Sequence, residues 1–426
     1  MIVSLPYWLY QMVRHGKYRQ GFRERLGRIP RHAASAGNQP AIWVHAVSVG
    51  EVLAVSGLVE RMRQSWPKHR ILISTTTDTG QELARKRFGR ENVFYFPMDF
   101  VFAMRPYLRA IKPELIVLAE TEFWPNFLRE AHASGAKIAV VNARISDRSR
   151  PRYLRFRWAL RRMLAHVDLF LAQTHQDAER LQAIGAEESR IEVVGNLKFD
   201  IQLPATPIIV EQLRSALAAE KAGPVLVCGS TVEGEEPTLL RAFENIRVAQ
   251  PRAVMILAPR HPERFDAVAT LVRQMDLSLL RRTRWQGEPL TGAIFLVDSI
   301  GELSALYALA DLAFVGGSLV PRGGHNIIEP AQQGVAIVTG NHTENFRDIV
   351  SLFQSREAVR IATIAELPLV WMHLLAHDEE RLGLGRQAKE TIYSQKGATT
   401  RSLEALQNLL AEGARAAAST GAAHSH

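Results

Sequence analysis

Cysteine is nearly absent from this chain of 426 residues, which has a single one, Cys228. A single cysteine excludes an intrachain disulfide and is typical of proteins that work in a reducing compartment. Cys228 stands in the apolar run PVLVCGS, which favours a buried, unreactive thiol over a nucleophile. Metal-binding patterns are missing as well. There is no His/Cys ligand spacing and no DxD carboxylate pair beside a glycine-rich loop, so the sequence predicts no metal site.

The apolar N-terminal stretch is too short to cross a bilayer, which takes roughly 20 apolar residues. It reads MIVSLPYWLYQMV, and Pro6 interrupts it. It also lacks the basic region and the small-residue cleavage site of a signal peptide. We therefore expect residues 1–30 to be a membrane-associating segment that lies in the lipid interface.

Acidic residues are fewer than basic ones, 43 Asp and Glu against 52 Lys and Arg, and the net charge is +9. The excess is concentrated in two blocks, 14–32 and 144–163, where arginine alternates with aromatic residues. This mixture favours a lipid–phosphate boundary over a plain solvated helix face. A nucleic-acid-binding protein is disfavoured, because no recognised binding fold accompanies the arginines. The basic residues that we expect to meet an anionic acceptor or membrane surface are Arg14, Lys17, Arg19, Arg155, Arg157, Arg161 and Arg162.

Short continuous apolar runs alternate with helical stretches, which is the pattern of parallel strands covered by helices on both faces. The runs read as strands are 41–46, 70–75, 92–97, 114–120, 137–143, 169–174 and 191–196, then 224–231, 253–260, 293–299, 312–318 and 335–341. The predicted fold class is α/β, with two Rossmann-like doubly wound domains facing each other across a cleft.

The predicted domain boundaries follow from a proline-rich interruption of this rhythm near 200–223. We assign 31–200 to an N-terminal acceptor-binding domain and 201–222 to an interdomain linker. The C-terminal domain, 223–412, would bind the nucleotide-sugar and include the last helix. The small, polar tail 413–426 is expected to be disordered.

Candidate nucleotide-binding residues cluster at strand ends in the second half, where doubly wound sheets bind ligands. The stretch FVGGSLVPRGGHNIIEP (314–330) offers glycines for close backbone approach, a helix start for a phosphate and a carboxylate for ribose hydroxyls. Two further strand ends, GSTVEGEE and LAPRHPERF, add hydroxyl and cationic groups. The candidate residues are Ser230, Thr231, Arg260, His261, Gly316, Gly317, Gly323, Gly324, Asn326 and Glu329.

Strand ends in the first half carry acids, hydroxyls and amides, which suit sugar hydroxyls. The strand–turn–helix HAVSVGE ends on Glu51, and we expect the helix N-terminus to hold this carboxylate ionised. Glu120 and Glu122 follow a later strand in the sequence AETEFWPN. The pattern does not decide between these two acids.

Seven motifs in order resemble the bacterial 3-deoxy-D-manno-octulosonic acid (Kdo) transferases: HAVSVGE, ETEFWPN, NARIS, GNLKFD, STVEGEE, PRHPERF and GGSLVPRGGHNIIEPA. The resemblance runs from about residue 14 to about residue 400. It implies an inverting, metal-independent glycosyltransferase of the GT-B fold that needs no cofactor. Such an enzyme moves Kdo from CMP-Kdo to the lipid A precursor, lipid IVA, in lipopolysaccharide synthesis. It works at the cytoplasmic face of the bacterial inner membrane.

The resemblance also implies roles for individual residues. Glu51 matches the catalytic base, and Glu122, with Glu120 as the open alternative, matches a second carboxylate important for activity. Arg260 and Glu329 match positions on the CMP side, and we take Lys198 as the candidate partner of the Kdo carboxylate. The alternative function is that of another GT-B sugar-nucleotide enzyme, either a UDP-sugar lipid glycosyltransferase or a UDP-sugar 2-epimerase. An epimerase would not need the membrane-facing arginines.

Overall fold

The computed structural model describes residues 20–34, 39–147, 149–201 and 206–423, with side chains as far as residue 413. The chain divides into two compact units, one formed by Met1–Ile201 with Gln395–His426 and the other by Gln202–Ser394. Each unit contains one seven-stranded sheet in which neighbouring strands are parallel. The predicted α/β class is confirmed.

The first sheet has the strand order β3-β2-β1-β4-β5-β6-β7. Its strands are β1 (Ala41–His45), β2 (Arg70–Thr75), β3 (Val93–Tyr95), β4 (Pro113–Ala119), β5 (Lys137–Ala143), β6 (Leu169–Ala172) and β7 (Ile191–Val193). Among the described residues before residue 200, the α-helices are α1 (Phe22–Arg25), α2 (Val49–Ser65), α3 (Asp78–Phe88), α4 (Val101–Ile111), α5 (Pro125–Ala133), α6 (Arg150–Arg155), α7 (Arg157–Leu164) and α8 (His175–Ile184). All seven strands predicted in this half are present.

The second sheet has the order β10-β11-β9-β8-β12-β13-β14. Its strands are β8 (Val225–Thr231), β9 (Val254–Pro259), β10 (Leu279–Arg281), β11 (Ile294–Leu296), β12 (Leu312–Val315), β13 (Ala336–Thr339) and β14 (Arg360–Ile361). The later helices are α9 (Ile208–Glu220), α10 (Glu236–Ala249), α11 (Phe265–Gln274), α12 (Leu303–Leu306), α13 (Ile328–Gln333), α14 (Arg347–Ser355), α15 (Leu367–Ala376), α16 (Asp378–Gln395) and α17 (Ala398–Ala423). Short 3-10 helices lie at Arg90–Asn92, Glu188–Arg190, Leu197–Asp200, Pro262–Arg264, Tyr307–Leu309 and Glu344–Phe346.

Side chains alternate between two apolar layers in each unit. In β1, Trp43 packs into the layer on one face of the sheet, whereas Ile42 and Val44 pack into the layer on the other. In β8, Cys228 and Val227 divide in the same way between the two layers of the second unit. Because both faces are covered, the strands are apolar throughout, which is why they read as continuous runs.

The last helix belongs to the first unit, so its predicted place in the C-terminal domain is wrong. Leu403, Leu406 and Leu409 of α17 lie in the same apolar layer as residues of β1 and α2. The carboxylate of Asp200 accepts the backbone N–H groups of Gly397 and Thr399 at 2.8 and 2.6 Å. These contacts bind the start of α17 to the end of the first unit and satisfy N–H groups that lack partners within the helix.

Two other predicted boundaries also change. Most of the expected linker is α9, whose buried Val210 and Leu213 pack in the core of the second unit. The expected disordered tail continues α17 as far as Ala423. Its alanine-rich sequence explains this, because alanine has the highest helix propensity. Residues 202–205 of the linker and 424–426 of the tail lie outside the described residues.

Candidate active site

Glu51 lies in the first turn of α2, directly after the turn that follows β1. Its side chain folds back, and Oε2 accepts from the backbone N–H of Val47 at 2.7 Å while Oε1 accepts from the hydroxyl of Ser48 at 3.0 Å. These bonds cap the helix start, much as the glutamate of a capping box does. Only 8% of Glu51 is exposed. The carboxyl group is therefore held in one orientation and largely removed from water.

The surroundings of Glu51 raise its pKa from 4.5 to about 8. Burial is the largest cause and the charge of Glu120 the next, while the bonds from Val47 and Ser48 favour the ionised form. The expectation that the helix start keeps Glu51 ionised is therefore wrong for the free protein. Loss of water and repulsion between carboxylates outweigh the helix dipole. A carboxyl group with a pKa near neutrality is suited to take up a proton during a reaction.

Two more carboxylates follow β4 and contribute to this shift. Glu120 has a left-handed backbone conformation, with φ of 57°, and its Oε1 accepts from Lys198 Nζ at 3.1 Å. Glu122 is half-buried, and burial together with the charge of Glu120 raises its pKa. The structure thus brings Glu51, Glu120, Glu122 and Lys198 into one electrostatic cluster. Lys198, predicted as a donor-site residue, belongs to the first unit and is paired with a carboxylate there.

A line of amides anchors the backbone that carries Lys198. Asn142, which has φ of 54°, accepts from the backbone N–H of Leu197 at 3.0 Å. The side chain of Asn196 accepts from the N–H of Lys198 at 2.9 Å and donates to Gln173 at 2.9 Å. These bonds join the carboxyl ends of β5, β6 and β7. Glu120 and Asn142 have left-handed backbone conformations although neither is a glycine. Strained backbone of this kind is concentrated at functional sites.

In the second unit, Arg260 and His261 lie close enough to His325 to act on its charge. Arg260 is exposed at the end of β9, where its backbone N–H donates to the carbonyl of Thr231 at 2.9 Å. Burial, and then the charges of Arg260 and His261, lower the pKa of His325 to about 4. Its Nε2 is buried and has no hydrogen-bond partner among the residues that the structure describes. A neutral imidazole next to an exposed guanidinium is suited to donate to an oxyanion.

Glu329 lies beside this group, in α13. The helix begins at Ile328, and the side-chain oxygen of Asn326 accepts from the N–H of Ile328 at 3.1 Å. The side-chain N–H of Asn326 also donates to Oε1 of Glu329, with a distance of 3.5 Å between the two heavy atoms. Burial raises the pKa of Glu329, whereas Asn326 and Arg260 favour its ionised form. The expected phosphate-binding helix start at Asn326 is thus partly capped by Asn326 itself.

Three glycines of the glycine-rich loop have N–H groups that are bonded within the protein. Gly316 donates to the carbonyl of Gly229 at 2.9 Å, and Gly324 donates to that of Gly317 at 2.7 Å. Gly317 donates to the carboxylate of Glu235 at 2.8 Å. Internal acceptors already bind the N–H groups of Gly316 and Gly317, so the close backbone approach predicted for these glycines would not depend on those two groups.

The other predicted residues of this region divide between the interior and the surface. Thr231 is fully buried, and its hydroxyl donates to Glu236 at 3.0 Å, so this side chain supports the fold. Ser230, near the end of β8, is partly exposed and has a left-handed backbone conformation, with φ of 55°. Gly323 has φ of 86°, and a side chain there would collide with Asn345.

The second basic block forms α6 and α7 on the surface of the first unit. Two aromatic residues stand out between its arginines, with Phe156 51% exposed and Trp158 69% exposed. The four predicted arginines of this block, all exposed, are Arg155, Arg157, Arg161 and Arg162. The other predicted basic residues, Arg14, Lys17 and Arg19, lie outside the described residues.

The described ranges contain neither a metal-binding cluster nor a membrane-spanning helix. There, no group of three or more His, Cys, Asp or Glu side chains is arranged to hold a metal ion. None of the helices in the same ranges has the length and apolarity that crossing a bilayer requires. Cys228 is fully buried, and burial raises the pKa of its thiol, as expected for an unreactive residue.

The sequence was compared with known families and proteins. Residues 20–201 match the family model described as 3-Deoxy-D-manno-octulosonic-acid transferase (kdotransferase). The 3-deoxy-D-manno-octulosonic acid transferase of Haemophilus influenzae is 32% identical over 403 residues, which cover 93% of each chain. That of Bordetella pertussis is 35% identical over 416 residues, 95% of each chain. The chain belongs to the Kdo transferase family. It is a glycosyltransferase of this family, and it acts in lipopolysaccharide synthesis by Kdo transfer.

Solved structures agree on the fold of this Kdo transferase family member. A crystal structure of UDP-GlcNAc 2-epimerase from Neisseria meningitidis bound to UDP-GlcNAc matches with a TM-score of 0.58. The match covers 86% of this chain and all of the epimerase chain, at 11% sequence identity. At so low an identity the likeness shows only the fold, which is the two-domain GT-B fold expected from the motifs.

Sequence reasoning assigned no role to two side chains that the structure makes prominent. His325 stands in the sequence GGHNIIE, and a histidine directly after two glycines at a strand end is a signal that could have identified it. Glu235 stands among polar residues in the sequence GEE, which suggests a surface position, but it is completely buried in the structure. Little in the local sequence distinguishes it from Glu236, because three of the four N–H groups that it accepts come from residues 317–319.

Proposed function

We propose that this chain transfers Kdo from CMP-Kdo to the lipid A precursor, lipid IVA, with inversion at the anomeric carbon and Glu51 as the general base. Family membership supports the transfer of Kdo. The environment of Glu51 is the observation that carries the assignment of the base. Among the carboxyl groups of the first-unit cluster, it is the one whose pKa is raised to about 8 while its orientation is fixed by two hydrogen bonds.

The reaction joins an acceptor hydroxyl to the anomeric carbon of Kdo. As the new C–O bond forms, the bond between that carbon and the phosphate oxygen of CMP breaks, and the hydroxyl proton passes to the Glu51 carboxylate. A positioned base of this kind contributes roughly 10²–10⁴-fold to the rate. The reaction needs Glu51 in its ionised form, and its raised pKa makes that form a stronger base than an ordinary glutamate.

The second unit would bind the departing nucleotide. Negative charge grows on the phosphate as the bond to Kdo breaks, and a guanidinium and a hydrogen-bond donor can stabilise it without a metal. Arg260 and the free Nε2 of His325 support this role. Glu329 can accept from the ribose hydroxyls, as the motif implies.

We assign the surface of α6 and α7 to the anionic acceptor and to the lipid surface at the cytoplasmic face of the inner membrane. Exposed arginines can pair with the phosphates of the acceptor and with anionic headgroups. The exposed rings of Phe156 and Trp158 suit the boundary between headgroups and acyl chains. This pattern of charge and aromatic surface supports peripheral attachment, in addition to any contribution of residues 1–19.

Mass spectrometry of the product made from CMP-Kdo and purified lipid IVA tests the proposal. The wild-type chain should add the mass of Kdo, and Glu51→Gln should reduce transfer by at least about 10²-fold while CMP-Kdo still binds. Substantial transfer by Glu51→Gln would refute the role of the base. A UDP-sugar enzyme is separated by thermal unfolding with CMP or UDP added, since only the cognate nucleotide raises the midpoint.

A further inference from the structure

Glu235 occupies a nest of backbone N–H groups behind the glycine-rich loop of the second unit. Its Oε1 accepts from Ser318 and Leu319 at 2.8 and 2.9 Å. Its Oε2 accepts from Gly317 and Val232 at 2.8 and 3.0 Å. Nest geometry of this kind, with successive N–H groups converging on one point, is what proteins use to bind phosphate and other anions. Here the anion is supplied by the chain itself.

No cation accompanies this carboxylate among the described residues. Arg264 pairs with the neighbouring Glu236, at 2.5 Å, whereas Glu235 is held by backbone amides. Glu235 is fully buried, and its burial raises its pKa despite the four N–H bonds. A buried carboxylate loses its hydration, which is unfavourable unless hydrogen bonds replace the lost water. Here the N–H groups of the loop supply those hydrogen bonds.

The loop that Glu235 holds is in direct contact with candidate donor-site residues. A side chain built on Gly317 would lie 2.7 Å from the ring of His325, so that ring packs against the Gly317 backbone. The carbonyl of Gly317 accepts from Gly324, which precedes His325 by one residue. Gly316 packs just as closely on the carbonyl of Ser230, at the end of β8. The position of His325 therefore depends on a loop in which the N–H groups of Gly317, Ser318 and Leu319 donate to Glu235.

We propose that Glu235 is a positioning residue for donor binding, an internal anion that shapes the 316–319 loop and so places His325 toward the phosphate of the nucleotide. This inference rests on the proposed donor site of the second unit. Glu235 itself does not contact the donor. It fills the nest behind the glycine-rich loop, which leaves Arg260 and His325 as the groups that meet the donor phosphate.

Chemical rescue tests the inference. Glu235→Ala empties the nest without changing any donor-site side chain, and formate is small enough to replace the missing carboxylate. The variant should raise the KM for CMP-Kdo by about tenfold or more with the KM for the acceptor unchanged, since two or more charge-assisted hydrogen bonds hold the loop. Formate should lower the donor KM again in a saturable way. An unchanged donor KM, or one that formate does not lower, overturns the proposal.

Glu220→Ala is a matched control in the same unit. The carboxylate of Glu220 also receives loop N–H groups, from Leu290 and Thr291, at 2.9 Å for both on Oε2. These residues precede β11, at the opposite end of the sheet from the candidate site. Glu220→Ala should lower the thermal unfolding midpoint, yet its donor KM should match that of the wild type with and without formate. A formate-sensitive donor KM in this control would overturn the proposal.

Two further measurements separate this inference from the proposed function and from misfolding. Amide hydrogen exchange at residues 317–319 should speed up in Glu235→Ala and slow again with formate, whatever the donor is. If the wild type binds no CMP, the proposed function fails while exchange still reports on the loop.

Glu235→Gln, which keeps one accepting oxygen, should raise the donor KM less than Glu235→Ala does. In a double-mutant cycle, Glu235→Ala should add little to His325→Ala, and full additivity would exclude action through His325.

Discussion

The pKa of Glu51 makes a directional prediction about the pH dependence of transfer. With a pKa of about 8 in the free protein, only about one tenth of the enzyme has the base ionised at about pH 7. The value of kcat/KM should therefore rise about tenfold per pH unit below pH 8 and level off above it. An ordinary glutamate, with a pKa of 4.5, would give no dependence in this range.

Two neighbouring substitutions should move this break in opposite directions. Glu120→Gln removes the charge that, after burial, contributes most to the raised pKa of Glu51, so the break should move to lower pH. Lys198→Met removes the cation that pairs with Glu120 at 3.1 Å, so the break should move to higher pH. The position of the break is informative even where a substitution also lowers the maximal rate.

Stability should respond to the same proton. Because the folded-state pKa lies above the value of 4.5, folding takes up a proton between about pH 4.5 and pH 8, and stability falls as pH rises through that window. The full shift corresponds to about 5 kcal/mol at about 1.4 kcal/mol per pKa unit. Glu51→Gln cannot ionise, so it should be more stable than the wild type at about pH 8 by up to this amount, with the difference shrinking toward about pH 5.

The assay is initial-rate transfer of Kdo at limiting CMP-Kdo from about pH 6 to pH 9, with thermal unfolding of the same proteins in the same buffers. Glu130→Gln serves as the control, because Arg105 and Arg129 lower the pKa of that buried carboxyl and it lies outside the cluster. A flat pH profile for the wild type would refute the reasoning. Shifts of the break in the same direction in Glu120→Gln and Lys198→Met would do so as well.

Three further predictions follow from other parts of the molecule. Arg260→Ala should weaken CMP binding about tenfold or more by calorimetry, whereas His261→Ala, whose ring already faces Glu263 at 3.7 Å, should weaken it less. Replacing Arg155, Arg157, Arg161 and Arg162 by Ser should weaken sedimentation with anionic vesicles, and more so at low salt than at high salt. As a control, replacing four other exposed arginines by Ser should leave sedimentation unchanged; these are Arg241, Arg273, Arg284 and Arg386. Leu406→Ala should lower the free energy of unfolding by about 2–5 kcal/mol, and Leu410→Ala, which is only partly buried, by less, as measured by denaturant unfolding.

Most of the fold could be predicted from local sequence because the strands are buried on both faces. Twelve apolar runs were recognised, and each forms a strand. The two that were missed, β10 and β14, are short edge strands with partly exposed residues, so they carry no apolar run. The place of α17 could not be predicted either, since its leucines suit any apolar layer. Its position depends on Asp200, which lies 197 residues from Gly397.

The places of the candidate residues in the fold were predictable, whereas the chemistry of their surroundings was predictable only in part. Strand ends and glycines correctly indicated where Glu51, Arg260 and Glu329 lie. The protonation of Glu51 was predicted with the wrong sign, because the helix dipole is visible in the sequence whereas burial and the charge of Glu120 are not. The internal bonds of the N–H groups of residues 317–319 could not be predicted, for a similar reason. Their partner, Glu235, lies more than 80 residues away in the chain.

The two units have opposite electrostatic character at the strand ends where the candidate residues lie. In the first, Glu51, Glu120 and Glu122 outnumber Lys198, and each added carboxylate makes it harder for Glu51 to remain ionised. In the second, Arg260 and His261 make it harder for His325 to be protonated. Transfer of a sugar from a phosphate to a hydroxyl releases a proton at the acceptor and builds negative charge on the donor. In the free protein, like charges repel one another in each of the two clusters. Under the proposed mechanism, this repulsion decreases when the acidic cluster gains a proton and when the group around Arg260 binds an anion. Under the proposed mechanism, the raised pKa of Glu51 and the lowered pKa of His325 both favour glycosyl transfer.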